Sequence, residues 1–141
     1  MSKVLVPIDG SESSLHAVDI VIKAVAEGRK LEVHLLNVQP QIVSGHARMY
    51  LKKDLIDEYY KEEGEKALKP AQEKLDQAGI PYVTSHLVGN APECIAKYVK
   101  SKGCELVVMG TRGLGSVHGM MLGSVATKVL HLVAVPVTLV K

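Results

Sequence analysis

Short apolar runs of strand length alternate along this chain with longer amphipathic stretches of helix length. This alternation is typical of a parallel sheet whose strands are joined by crossover helices. The run Leu106-Val107-Val108-Met109 is apolar throughout, as strands buried on both faces are. Five strands are predicted, over residues 3–8, 30–38, 81–88, 105–110 and 136–140. The pattern therefore indicates an α/β fold with one open five-stranded parallel sheet and helices on both faces.

Four helices are predicted between these strands, and residues suited to helix ends mark two of them. The first helix begins where Ser11 or Ser13 can act as the N-cap, and it ends at Gly28. Asn90 is expected to cap the third helix, and Gly103 to end it.

The second and fourth helices are predicted from amphipathic pattern. The second covers residues 48–78, and Gly64 and Pro70 inside it are expected to weaken or kink it. The fourth begins near the segment Leu122-Gly123-Ser124 and continues to about residue 133.

Composition limits the classes of function. A chain of 141 residues with 47% hydrophobic content suits one domain, residues 1–141. Seventeen basic against 15 acidic residues predict no long-range attraction to nucleic acid or to a membrane. The start, Met1-Ser2-Lys3, leads into an apolar strand without an export signal, so a cytoplasmic protein is expected. Cys94 and Cys104 have no metal-binding or redox spacing.

A glycine-rich loop follows the predicted fourth strand. It reads Gly110-Thr111-Arg112-Gly113-Leu114-Gly115-Ser116, and Gly123-Ser124 stand at the start of the fourth helix. Glycines let a backbone fold tightly and turn its N–H groups toward one point, and a helix N-terminus adds free N–H groups at Gly123, Ser124 and Val125. Neither the P-loop spacing nor that of the dinucleotide fingerprint is present. The loop is predicted to bind phosphate groups.

Charge around this loop favours the same interpretation. From residue 106 to the last residue there is no Asp or Glu, whereas Arg112, Lys128 and Lys141 are present. A carboxylate here would repel a triphosphate. The alternative is a surface loop that only joins a strand to a helix.

A second wall is predicted at the exit of the first strand, across from the glycine loop. Asp9 in the segment Pro7-Ile8-Asp9-Gly10-Ser11 either accepts hydrogen bonds from a ribose or base, or helps to hold a metal, or only caps the following helix. The local pattern leaves these roles open. Val38, at the exit of the second strand, has only backbone groups to offer a base, and by itself it resembles a core residue.

Several segments together resemble the universal stress protein family. They are Val6-Pro7-Ile8-Asp9-Gly10-Ser11, Leu106 to Gly113, Leu122-Gly123-Ser124-Val125-Ala126 and Val135-Pro136-Val137. The resemblance extends over the whole chain, and the glycine pattern is similar to that of the ATP-binding branch. It implies the strand order 3-2-1-4-5, with the reversal between the first and fourth strands, so that both walls face one crevice.

The resemblance also implies a set of binding residues. The backbone at Pro7 and Val38 and the side chain of Asp9 would surround adenine and ribose, with Ile8 beside them. The residues expected to follow the ribose and phosphates are Gly110, Arg112, Gly113, Gly115, Ser116, Gly123, Ser124 and Val125. ATP is the expected ligand, with Mg²⁺ or Mn²⁺ held mainly by its phosphates. No catalytic or metal-ligating residue is predicted.

Three functions remain open from the sequence. The first is a regulatory stress-response module that binds ATP with little turnover, because the loop has no carboxylate to fix a metal. The second is a slow ATP hydrolase or phosphotransferase, with Thr111, Ser116 or Ser124 as phosphate acceptor and His118 as a possible base. The third is a chaperone-like protein that binds no nucleotide.

The apolar run Pro136-Val137-Thr138-Leu139-Val140 raises the question of a partner. An unpaired apolar edge strand is an aggregation hazard, which a two-fold partner would remove. The family resemblance implies a homodimer formed by pairing these strands. The alternative is an edge covered by the chain's own helices.

Overall fold

Strands and helices alternate along the residues that the computed structural model describes, which are 1–41, 52–113 and 122–141. The strands are β1 (Ser2–Pro7), β2 (Leu31–Gln39), β3 (Tyr82–Val88), β4 (Leu106–Gly110) and β5 (Val137–Val140). The helices described are α1 (Glu12–Ala26), α2 (Lys53–Gln77), α3 (Ala91–Lys102) and α4 (Ser124–Leu132). These elements confirm the predicted alternation.

The five strands form one parallel sheet in the order β3-β2-β1-β4-β5. This order confirms the one that the family resemblance implied. The chain moves outward from β1 through β2 to β3, and then crosses to β4 and β5 on the other side. The strand order therefore reverses between β1 and β4, which is where open α/β sheets bind ligands.

Hydrophobic cores lie on both faces of the sheet. Val4 and Val6 of β1 pack with α1 and α2, whereas Leu5 between them packs with α3 and α4 on the opposite face. Successive side chains of a strand point to opposite faces, so an entirely apolar strand supplies both cores. Helices on both faces are thus confirmed. None of the described helices is both long enough and apolar enough to cross a membrane.

Two of the predicted helix caps are confirmed. The hydroxyl oxygen of Ser11 accepts the Ser14 N–H at 3.2 Å, and Asn90 Oδ1 accepts the Glu93 N–H at 3.2 Å. Gly103 ends α3 with a φ of 70°, a conformation that favours glycine. Ser13, the other predicted cap of α1, instead donates its hydroxyl to the Val140 carbonyl at 2.9 Å.

Helix α2 continues through both Gly64 and Pro70. Gly64 is buried, and a Cβ added there would lie 3.2 Å from the Cβ of His86 in β3. The glycine therefore allows the helix to approach the edge strand closely, which offsets its low helix propensity. The predicted start of this helix, at residues 48–51, lies outside the described residues.

Candidate functional site

A cleft of about 810 Å³ opens at the carboxyl ends of the central strands. The predicted site residues that line it are Pro7, Ile8, Asp9, Val38, Gly110, Arg112, Gly113, Gly123, Ser124 and Val125. The fold thus brings together residues that are far apart in the sequence. Gly115 and Ser116, together with His118, lie outside the described residues.

The Asp9 carboxylate stands between the two walls of the cleft. Its Oδ1 accepts the backbone N–H of Ser11 at 2.9 Å, and Ser11 is the N-cap of α1. Asp9 therefore supports the turn before the helix and is not itself the cap, which corrects one of the predicted alternatives. A Cβ added at Gly113 would collide with Asp9 Oδ2. The exits of β1 and β4 therefore meet at this carboxylate.

Gly110 permits an equally close approach between β4 and the first turn of α1. A Cβ at this position would lie 2.8 Å from the carbonyl carbon of Ser13, a distance that a side chain essentially never adopts to backbone. Any larger residue would push α1 away from the end of β4. The glycine that the sequence predicted as part of a phosphate loop is thus also required by the packing of the two walls.

The loop that leaves β4 is closed at its base by Thr111. The Thr111 carbonyl accepts the Gly123 N–H at 2.6 Å, and the Thr111 N–H donates to the Val140 carbonyl at 2.8 Å. Thr111 and Gly123 therefore lie together beside the end of β5. Because of this closure, the start of α4 is held directly against the exit of β4.

The N-terminus of α4 faces the cleft with free donors. Its N-cap, Gly123, has no side chain, and the first hydrogen bond of the helix runs from the Thr127 N–H to the Gly123 carbonyl at 3.1 Å. The N–H groups of Ser124, Val125 and Ala126 consequently have no acceptor within the helix. The first turn contains no acidic residue. Such a helix start attracts anions through its N–H groups and its dipole.

The exit of β2 presents backbone groups to the cleft. The Leu36 carbonyl accepts the Ile8 N–H at 2.8 Å and so faces β1, whereas the Gln39 carbonyl accepts the Gly89 N–H at 2.9 Å and faces β3. Backbone groups of successive residues point to opposite edges of a strand, so those of Val38 face the side where β1 has already ended. One donor and one acceptor are therefore directed at the cleft.

The prediction from sequence missed several residues that line the cleft. They include Asn37, Gln39, Lys66, Asn90 and Lys128. An Asn between apolar residues of a predicted strand is the signal that could have drawn attention to Asn37, which the structure shows to be 1% exposed. Lys66 belongs to α2, and its helical pattern gave no sign that it reaches the cleft.

Two charge types meet around the cleft. Arg112, Lys66 and Lys128 are exposed and line it together with the carboxylates of Asp9 and Glu63. Within the described ranges, no group of three or more His, Cys, Asp or Glu side chains is arranged to hold a metal ion. The cleft thus combines the amide donors and Lys128 of α4 and Arg112 after β4 with the Asp9 carboxylate at the exit of β1. Helix α2 adds one charge of each sign, Lys66 and Glu63.

Comparison with known proteins gives the same family that the sequence motifs indicated. The profile of the Universal stress protein family matches residues 1–141. The universal stress protein YxiE of Bacillus subtilis is 35% identical over 147 residues, covering 99% of each chain. The universal stress protein MJ0531 of Methanocaldococcus jannaschii is 32% identical over 143 residues, covering 99% of this chain and 81% of that protein.

Solved structures share the fold. The protein MJ0577 superposes with a TM-score of 0.84 at 26% identity, covering 99% of this chain and 95% of that one. A universal stress protein family member of Arabidopsis thaliana with AMP bound gives 0.72 at 21% identity, covering 100% and 92%. The universal stress protein of Archaeoglobus fulgidus in complex with dAMP gives 0.67 at 20% identity, covering 100% and 98%. Profile, relatives and fold agree, and this chain belongs to the universal stress protein family.

Proposed function

We propose that this protein binds ATP in the cleft and acts as a nucleotide-dependent regulatory module of the stress response, with little or no turnover. One observation carries the proposal: the amide donors at the start of α4, the Asp9 carboxylate and the backbone of Val38 line a single cleft. Phosphates, ribose and base need these three kinds of group. Relatives with this fold have been solved with AMP and dAMP, which supports an adenine nucleotide as the ligand.

In this proposal the base lies at the exit of β2, near Pro7 and Ile8. The Val38 N–H donates to adenine N1, and the Val38 carbonyl accepts from the exocyclic amine. Asp9 accepts hydrogen bonds from the ribose. The residues that follow the phosphates are Gly110, Arg112, Gly113, Gly115, Ser116, Gly123, Ser124 and Val125.

Low turnover follows from what surrounds the phosphates. Phosphoryl transfer needs a fixed metal and a group that orients the nucleophile. In the described part of the cleft the carboxylates are Asp9, at the exit of β1, and Glu63, in α2, and the first turn of α4 contains no acidic residue. Asp9 Oδ1 already accepts the Ser11 N–H. We therefore expect Mg²⁺ or Mn²⁺ to be held mainly by phosphate oxygens and water.

Calorimetric titration with ATP and with inosine triphosphate (ITP) tests the proposal. ITP exchanges the donor and the acceptor on the base edge. The Val38 carbonyl would then face the carbonyl of the base, and the Val38 N–H would face another N–H. We expect ATP to bind about tenfold or more tightly than ITP, the value of one mismatched pair of hydrogen bonds. Equal affinity would contradict the placement of the base.

A turnover assay separates the regulatory module from a slow hydrolase or phosphotransferase. We expect ATP hydrolysis below about one per minute, far under the usual enzymatic range of about 1–1000 per second. Faster hydrolysis that is lost in Asp9→Ala or His118→Ala would favour the enzyme. Phosphate found covalently on Thr111, Ser116 or Ser124 would favour the phosphotransferase.

We also propose that the chain, one domain over residues 1–141, forms a cytoplasmic homodimer through the strand that begins at Pro136 and ends at Val140. β5 lies at an edge of the sheet, and none of its residues Val137–Val140 is fully buried. A partner strand would cover this edge and apolar side chains next to it.

A further inference from the structure

Asn37 is a buried polar residue at the cleft end of β2, where its neighbours in the strand are apolar. Its Nδ2 donates to the Ile8 carbonyl at 2.8 Å, and its Oδ1 accepts from Gln39 Nε2 at 2.7 Å. A carbonyl can only accept, so the amide group of Asn37 must face Ile8. Both ends of the side chain are therefore fixed in one orientation.

This contact occurs where the ladder between β1 and β2 stops. The last ladder partners are Pro7 and Leu36, and the Ile8 N–H then donates to the Leu36 carbonyl at 2.8 Å. In a continued parallel ladder, the Ile8 carbonyl would accept the N–H of Val38. The Asn37 side chain occupies that carbonyl instead. A side-chain amide thus takes the place of the next backbone bond.

We infer that Asn37 is a positioning residue for the nucleotide site. By holding the Ile8 carbonyl it separates β2 from β1, so that the Val38 N–H is directed to the base of the ligand. The same bond fixes the peptide that leads into Asp9. One side chain thereby sets both the base contact and the ribose contact, and this inference rests on the proposed function.

Packing around Asn37 keeps this arrangement rigid. The residue is 1% exposed, and a Cβ added at Gly64 of α2 would lie 3.5 Å from its Oδ1. Helix α2 therefore shields the amide from water. Hydrogen bonds in such a shielded position are costly to leave unmade, so loss of the amide should lead the Ile8 carbonyl to take a new donor. The nearest one in a parallel ladder is the Val38 N–H.

Asn37→Ala tests the inference through ligand selectivity, which a change in stability alone would not move. The dissociation constants of ATP, ITP and 2′,3′-dideoxy-ATP are measured for the folded protein. In the wild type we expect ATP to be preferred about tenfold over each analogue. In Asn37→Ala both preferences should fall to about twofold or less. Asp9→Asn should lower the preference over dideoxy-ATP and leave the preference over ITP.

Val33→Ala is the matched control. Val33 lies on the same strand and the same face as Asn37, is 1% exposed, and does not line the cleft. Val33→Ala should lower the melting temperature but leave the preference for ATP over ITP and over dideoxy-ATP unchanged. Should Asn37→Ala not fold, Gln39→Ala removes the bond to Asn37 Oδ1, and we expect it to reduce both preferences about twofold to threefold.

The outcomes separate the two proposals. A wild type that binds no ATP overturns the proposed function and this inference with it. A wild type that prefers ATP while Asn37→Ala, or Gln39→Ala in its place, retains both preferences overturns the inference alone. Loss of the ribose preference without loss of the base preference in Asn37→Ala would also overturn it, because both contacts are assigned to the same bond.

Discussion

Gly110 and Gly113 belong to the predicted phosphate loop, and Gly110 is also required by the packing of the fold. The sequence predicts them as part of a loop that binds phosphates, where glycine lets the backbone approach an anion. The structure adds that a Cβ at Gly110 would meet Ser13, and that one at Gly113 would meet the Asp9 carboxylate. Gly110 therefore keeps the start of α1 and the end of β4 at their observed separation, whether or not a ligand is present. At Gly113 only the end of a flexible side chain would have to move.

Gly110→Ala should consequently destabilise the fold. Its Cβ would lie 2.8 Å from backbone, which cannot move aside as a side chain can. We expect the free energy of unfolding to fall by about 1–3 kcal/mol, the usual cost of overpacking. Denaturation by urea measures this fall in the free energy of unfolding. Gly64→Ala is the matched comparison. Its Cβ would lie 3.2 Å from a side-chain atom of His86, and alanine favours a helix more than glycine does. An equal loss in both variants would contradict this account.

A buried histidine away from the cleft connects β2 with α3. His34 Nδ1 lies 2.7 Å from the Tyr98 hydroxyl, and its Nε2 lies 2.8 Å from Glu32 Oε2. A carboxylate only accepts, so Nε2 donates to Glu32. This bond, with a smaller contribution from Lys3, holds the pKa of Glu32 below its usual 4.5. The carboxylate form is therefore favoured in the folded protein.

Glu32→Gln should show this as a pH-dependent loss of stability. A group whose pKa is lower in the folded state stabilises the fold above its unfolded pKa, and this contribution disappears as the pH falls through the folded pKa. The variant should have a lower free energy of unfolding than the wild type at pH 5. The difference between the two should become smaller below about pH 4.5. Urea denaturation from pH 5 to pH 3 measures it. A difference in the free energy of unfolding that stays constant from pH 5 to pH 3 would contradict the stabilising role of the ionised Glu32.

The sequence predicted single residues where a motif marked them. Asp9 and the glycines stand at strand exits or in a recognisable spacing, whereas Val38 was assigned through the family resemblance. The structure places those that it describes around one cleft. The contact that Asn37 makes and the closing role of Thr111 could not be predicted in this way. Each depends on a partner far away in the sequence, Ile8 in one case and Gly123 in the other, and on the register that brings the two together.

At the level of elements, α4 brings charge as well as donors to the cleft. Lys128 lines the cleft one turn after Ser124, on the same side of the helix. An exposed lysine attracts a triphosphate more strongly than a monophosphate, and salt weakens the attraction. In the proposed function, the helix would therefore favour ATP over AMP through the Lys128 side chain in addition to its N-terminus.

Lys128→Gln should lower the affinity for ATP about twofold to fivefold and that for AMP less, since the effect corresponds to one exposed charge. Calorimetry at low and at high salt measures these affinities. The difference in ATP affinity between the wild type and the variant should be smaller at high salt. Lys100→Gln, an exposed lysine of α3 that does not line the cleft, is the matched control. The same loss in both variants would show that only net charge matters.

The limits of sequence patterns are clear in α2. Gly64 and Pro70 are poor helix residues, and local propensity predicted a weakened or kinked helix. The helix continues through both. At Gly64 the close packing over β3 outweighs a local preference of about 1 kcal/mol. The caps at Ser11 and Asn90 were predictable because they depend only on neighbouring residues.

For the whole molecule, periodicity predicted five strands but not their order. Strands that are apolar on both faces carry no mark of which neighbour they pair with. The order came from the family resemblance, and the structure confirms it. That order creates the site, because it places β1 beside β4. It thereby brings Asp9 and Gly110, which are 101 residues apart in the sequence, to one crevice.

The proposed dimer can be tested at the exposed side chain of Thr138 in β5. Thr138→Lys places a charge on the edge strand, and two such charges would meet across a two-fold axis, so the variant should be monomeric. Thr84→Lys adds the same charge to the opposite edge strand, β3, and should leave the dimer intact. Analytical ultracentrifugation measures the oligomeric state of both variants. A wild type that is monomeric at micromolar concentration would contradict the dimer.

The central claim is that the cleft is built for ATP. The most direct measurement incubates the purified protein with equal concentrations of ATP and AMP, removes unbound nucleotide, denatures the protein and identifies the released nucleotide by mass spectrometry. We expect ATP to predominate, at close to one per chain, because the α4 donors and Lys128 act on the phosphates beyond the first. Release of AMP alone, or of no nucleotide, would contradict the claim.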